Sequence, residues 1–172
     1  MLIKCHKNAN KGYKAGLKGA GVAKVEVIDG TPTVTQRFGD NGYWWSVESN
    51  PCYGDVAAYH DVDSNYIYAW GCPPTSNKYV YMIRVNAADA YDLSKYQYWH
   101  GRAQGWSSTR LTTFNAETAV MRGVGQGQVI YSNFYNCYVF VHLGGRKHFE
   151  ASEFRLTNTR WQRCGYPHGT LP

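Results

Sequence analysis

The sequence predicts an all-β fold assembled from antiparallel meanders, and three observations carry that prediction. Aromatic residues are 16% of the 172 residues, with 15 Tyr and 6 Trp, and such residues favour strands. Long apolar stretches of helical period are absent. Short alternating runs bounded by Gly, Pro, Asn and Asp recur along the chain. The length suits one domain with a sizeable core.

The first segment, residues 1–24, reads as a basic, disordered tail. Lys4, Lys7, Lys11, Lys14, Lys18 and Lys24 precede the first acid, Glu26. They account for the whole net charge of +6: the other 12 basic residues (18 − 6) face 12 acids. A nucleic-acid-binding domain carries its basic excess on the recognition surface, so no nucleic-acid partner is expected. The lysines fall at helical spacing, but Gly12, Gly16, Gly19 and Gly21 each oppose a helix by about 1 kcal/mol.

Residues 25–149 carry the domain. "VAKVEVIDGTPTV" alternates and then offers Asp29-Gly30 as a hairpin turn. "GDNGYWW" gives a second turn at Asn41-Gly42. The clearest unit runs from Gly54 to Val85: a strand over Asp55–His60, a polar turn over Asp61–Asn65, a strand over Tyr66–Trp70, a loop over Cys72–Lys78, and a strand over Tyr79–Val85. Asn86 can cap a short helical turn with Asp89 three residues on. "KYQYW" then returns to alternation.

The meander recurs. "GDVAAYHDVDSNYIYAWG" (Gly54–Gly71) and "GQVIYSNFYNCYVFVHLG" (Gly127–Gly144) are both 18 residues long, 73 apart, and share three identities. Radial repetition of small antiparallel sheets is the architecture of a β-propeller, and this chain would hold two to three blades. On that alignment Gln128 occupies the place of Asp55. A partial propeller leaves unpaired sheet edges, which predicts poor solubility.

Several classes are excluded. The cysteines at 5, 52, 72, 137 and 164 form no CxxC pair, so no zinc ribbon is expected. Their wide spacing fits buried thiols or one or two disulfides, and Cys72 and Cys137 lie in different strand–turn units that could approach each other. No apolar core follows the basic start, so no signal peptide is visible, and no window of about 20 apolar residues predicts membrane insertion. There is no GxSxG serine site. Gly123–Gly127 lacks the ending of a phosphate loop. Asp61 and Asp63 sit in "HDVDSN", which reads as an exposed turn without the further ligands of a calcium loop. No cofactor and no metal are expected, and the oligomeric state stays open.

The runs "YGDVAAYHD…YIYAWG…YVYMIRV…YDLSKYQYWHG…GW" and "ETAVMRGVGQGQ…YNCYVFVHLG" resemble the glycosidase-like five-bladed β-propellers grouped as "domain of unknown function 4185", above all their fungal members. The resemblance covers roughly residues 25–145. It implies a funnel at the propeller axis, action on polysaccharide, and an extracellular place of work for an intact member. After Gly145 the chain departs from the pattern. Residues 150–172 are therefore expected to be an atypical, disordered tail, the product of a frameshift or a mis-spliced gene, and the start is expected to be truncated too.

Carboxylates on innermost strands are the chemistry such a fold needs. An inverting glycosidase holds an acid and a base about 6.5–9.5 Å apart. Asp55, opening the first strand of the clearest meander, is the candidate base, against a reading as turn chemistry. Glu117 in "NAETAV" is the candidate acid, against a reading in which Asn115 starts a turn there. Gln126 and Gln128 are candidates for binding sugar hydroxyls, since an amide donates and accepts but cannot act as an acid. Trp44, Trp45, Trp99 and Trp106 are candidate stacking platforms, against core packing. His100 is a candidate donor at a loop rim. The reading is a glycoside hydrolase-like protein acting on or binding polysaccharide or oligosaccharide. The alternatives are a non-catalytic carbohydrate-binding propeller and an inactive, truncated gene product.

Overall fold

The computed structural model describes residues 2–6, 16–73, 79–122, 126–134, 136–143, 149–157 and 160–163. Among them strands dominate, joined by two single-turn 3-10 segments, Ala87–Asp89 and Leu93–Lys95, with no α-helix. The all-β, antiparallel expectation is met.

Three antiparallel sheets form in chain order. The first contains β1 (Leu2–His6), β2 (Leu17–Ile28) and β3 (Thr31–Arg37), with the short β4 (Trp45–Ser46) also on β2. The central sheet contains β5 (Ala57–Asp61), β6 (Tyr66–Gly71), β7 (Tyr79–Asn86), β8 (Gln97–Trp99) and β9 (Trp106–Ser107), with β10 (Met121–Arg122) on β7. The third contains β11 (Gly127–Ser132), β12 (Cys137–Leu143), β13 (Phe149–Thr157) and β14 (Arg160–Arg163).

The turn chemistry follows the sequence closely. Asp29 (φ 51°) and Gly30 (φ 77°) both lie in the left-handed region that a tight hairpin requires, and Ile28 pairs with Thr31 across it. Asn86 caps the first 3-10 turn, its Oδ1 accepting from the Ala88 N–H at 3.0 Å.

Two expectations for the chain ends need correction. The predicted tail 1–24 holds strand β2 from Leu17 onward, with Ala20, Val22 and Ala23 buried. Gly19 and Gly21, which opposed order on propensity, are where Tyr43 crosses the strand: a Cβ on Gly21 would stand 2.8 Å from the Tyr43 Cα. The predicted tail 150–172 supplies most of β13 and all of β14, in regular register with β12; residues 164–172 lie outside the described residues.

The core explains the sequence pattern of the central sheet, which is covered on both faces. Ala69, Tyr81, Ile83, Val85 and Tyr98 pack with Ala20, Val22 and Trp45 of the first sheet. Tyr68, Trp70, Val80, Met82 and Trp99 pack with Val129 and Phe140 of the third. A strand covered on both sides reads as a continuous apolar run rather than an alternating one, and "VYMI" of β7 is buried throughout. Arg84 interrupts that run. Its guanidinium lies over the rings of Tyr66 (4.6 Å) and Trp106 (4.3 Å), and its Nε donates to Gln97 Oε1 at 2.8 Å. Cys52, Cys72 and Cys137 are buried thiols, and Cys72 neighbours Cys52: the Cys52 N–H donates to the Cys72 carbonyl at 3.0 Å.

Candidate functional site

Antiparallel pairing brings the start of β5, the end of β6, the start of β7 and the end of β8 to one end of the central sheet. Asp55, Cys72, Tyr79 and His100 therefore gather there. The other end carries Asp61, Ser64, Asn65 and Asn86.

At the first end the central and third sheets are joined through main chain and side chain together. The Gly127 N–H donates to the Val56 carbonyl at 2.9 Å, and Gln126 Nε2 donates to Asp55 Oδ1 at 3.2 Å. Gly127 serves its own sheet as well, because a Cβ there would run into the Val141 carbonyl and stand 2.8 Å from the His142 Cβ of the partner strand β12. Asp55 is half-buried in a turn whose N–H donates to the Cys52 carbonyl at 2.9 Å. Burial holds its carboxyl above the usual range, and the Gln126 bond offsets part of that. Asp55 in turn helps push the Cys72 thiol up to about 11, behind the larger effect of burial.

The pairing of Asp55 with Gln126 corrects the phase of the internal repeat. Both hairpins turn over four residues and end on a left-handed Asn: Asn65 (φ 55°) and Asn136 (φ 49°). Matching these turns gives an offset of 71 (136 − 65), not 73, and makes Gln126 the counterpart of Asp55. Gln128 instead pairs across to Val141 and lies exposed on a strand.

Glu117 stands in a different setting. Its N–H donates to Asn115 Oδ1 at 2.9 Å, as does that of Thr118 at 3.1 Å, so Asn115 does start a turn there. Glu117 is exposed on the wall of a cleft of about 590 Å³ that it shares with Tyr79, His100, Arg102, Gln104 and Arg122. Asp55 is not part of that wall. His100 is half-buried there; its Nε2 lies 2.8 Å from the Thr109 carbonyl oxygen, which requires the Nε2–H tautomer and leaves Nδ1 as the acceptor of a neutral ring. The donor role expected for His100 is thus committed to Thr109 through Nε2.

The tryptophans are packing residues, contrary to the platform expectation. Trp45 is fully buried, its Nε1 donating to the Tyr98 hydroxyl at 3.1 Å, and Trp99 is buried in the core between the central and third sheets. Trp44 is wedged among the rings of Phe38, Trp45 and Tyr96. Trp106 is covered on one face by Arg84 and packs edge-on to Trp99. A ring must offer a free face to stack on a sugar, and none of these four is exposed.

Sequence reasoning missed a second polar cluster, at the other end. Asp61, read as an exposed turn residue, is buried. Its Oδ2 accepts from Ser64 Oγ at 2.6 Å, and the Tyr138 hydroxyl of the third sheet donates to the same carboxyl. Burial, and then that bond, hold the Tyr138 phenol above its usual range. Beside them Asp63, Tyr131 and Asn136 line a hollow of about 520 Å³, and the Tyr131 hydroxyl donates to Asn136 Oδ1. Signals for this cluster exist in "HDVDSN" and "YSNFYN", but their burial arises only when two sheets meet. Among the described residues no group of three or more His, Cys, Asp or Glu could hold a metal, and no helix is long and apolar enough to cross a membrane.

No family model matches the chain, and no curated protein matches it. Among solved structures it is similar to a candidate hydrolase from Bacteroides ovatus, with a TM-score of 0.56 and 19% sequence identity, over 91% of this chain and 38% of that one. The likeness is one of fold, and the chain spans well under half the length of that protein.

Proposed function

We propose that the chain is part of a hydrolase-like β-propeller of the "domain of unknown function 4185" type, and that the end bearing Asp55 and Gln126 binds polysaccharide or oligosaccharide, outside the cell. The carrying observation is the Gln126 Nε2 to Asp55 Oδ1 bond of 3.2 Å across the seam between two sheets. It places a half-buried carboxyl and an amide at equivalent positions of two repeated hairpins, where a propeller would turn both toward its axis. A carboxylate accepting from adjacent hydroxyls, flanked by an amide that both donates and accepts, suits a sugar edge. The fold shared with a candidate hydrolase, and the stacking of three antiparallel sheets, support the same reading.

A non-catalytic role has its own support. Glu117 lines a cleft that Asp55 does not share, so the two carboxyls are not gathered into one pocket. Titrating a panel of polysaccharides against the unaltered chain and Asp55→Asn tests both forms. Weakening by about tenfold or more in the variant is expected, the scale of one lost charge-assisted hydrogen bond. Release of reducing ends that depends on Asp55 would mark a hydrolase; binding without release would mark a binding module. Equal binding by both chains would overturn the site.

A further inference from the structure

The cleft beside that end is chemically unlike the Asp55–Gln126 seam. Arg102, in the turn after β8, and Arg122, on β10, are both exposed on its wall, with Glu117 as its single acid. Register fixes their places: Arg122 lies opposite Tyr79, and His100 follows directly on Trp99. Among the described residues neither guanidinium is joined to a carboxylate in an ion pair, whereas Lys24 and Glu26 on β2 are, at 2.9 Å. At about 590 Å³ the cleft falls within the ordinary range of small-molecule sites, about 300–1,000 Å³.

We propose that this cleft takes a carboxylated sugar, a uronate unit of an acidic polysaccharide, with Arg102 and Arg122 holding its carboxylate. The proposal rests on the polysaccharide reading and names the substrate class. Guanidinium groups pair with carboxylate or phosphate through parallel N–H bonds. The Glu117 carboxylate on the same wall decides between them, since it repels a phosphate dianion more than a singly charged carboxylate. Gln104, the Tyr79 hydroxyl and the His100 Nδ1 acceptor are of the kind that pair with ring hydroxyls.

Calorimetric titration of the full chain with trigalacturonate, with galactotriose and with inorganic phosphate tests this. Trigalacturonate is expected to bind about tenfold more tightly than galactotriose at low salt, a preference that shrinks as salt screens the charges. The double variant Arg102→Gln, Arg122→Gln should lose that preference while keeping its affinity for galactotriose. Asp55→Asn should weaken both sugars alike. Equal binding of the two trisaccharides, a preference that survives the double variant, or phosphate bound as tightly as the uronide would each overturn the acidic-sugar proposal and leave the polysaccharide reading standing. Binding of neither trisaccharide would overturn both.

Discussion

Asp55 lies just before strand β5 and Asp61 ends it, and each meets a donor from the β11–β12 hairpin or its entry, yet their surroundings differ in kind. Asp55 is half-buried and accepts from an amide, Gln126, at the rim of an open end. Asp61 is buried and accepts from two hydroxyls, Ser64 and Tyr138. A buried carboxyl met by hydroxyl donors is a tie between layers. A half-buried one at an open rim, its pKa raised by burial, is a candidate for chemistry or recognition. Position on a strand does not separate the two; the environment at each end does.

The largest effect that would test this contrast is on stability. Asp61→Ala should lower the free energy of unfolding by about 2 kcal/mol, since it removes the acceptor of the half-buried Tyr138 hydroxyl and of Ser64. Urea denaturation measures it, and a loss below about 1 kcal/mol would mean that Asp61 is no tie. Tyr138→Phe should cost about 1.5 kcal/mol by the same measurement, because one donor to the buried carboxyl disappears.

Asp55→Asn should leave stability at neutral pH within about 0.5 kcal/mol while weakening sugar binding. Its effect on stability should depend on pH in a stated direction. A carboxyl whose folded pKa is raised contributes stability that is complete below the unfolded value, near 3.8, and is lost as pH rises through the folded one. The unaltered chain should therefore lose stability relative to Asp55→Asn across the pH range just above 3.8, as melting curves of the two would record. A difference of the opposite sign would show that Asp55 is held as a carboxylate. The smallest effect is that of Gln126→Ala. With its donor gone, the Asp55 carboxyl should move further above its usual range, observable by NMR titration, with little change in melting.

Much of this fold is legible in the residues. Turn chemistry places the β2–β3 hairpin, and the run from Tyr66 to Asn86 needs only its turn, its loop and its Asn86 cap to be read correctly. What is not legible has one cause: packing between distant segments outweighs local propensity. Gly19 and Gly21 speak for coil until Tyr43 is known to cross them. Trp45 looks like a surface platform beside a turn until Tyr98, 53 residues away, is known to take its indole N–H. At the site, Asp55 and the glycine-flanked glutamines are visible as candidates. Which glutamine matters is not, because an ungapped comparison of the two meanders slips by two residues. The four-residue turns ending at Asn65 and Asn136 restore the phase.

The bond from the Gly127 N–H to the Val56 carbonyl uses only backbone atoms. That part of the docking of one hairpin on the next thus asks for no particular side chain on either side. In the phase set by their turns the two hairpins agree at two residues in eighteen, Gly54 with Gly125 and Asn65 with Asn136, and the backbone bond joins them all the same. Side-chain chemistry is then free to vary at the rim, where one hairpin carries an acid and the other an amide on a common frame.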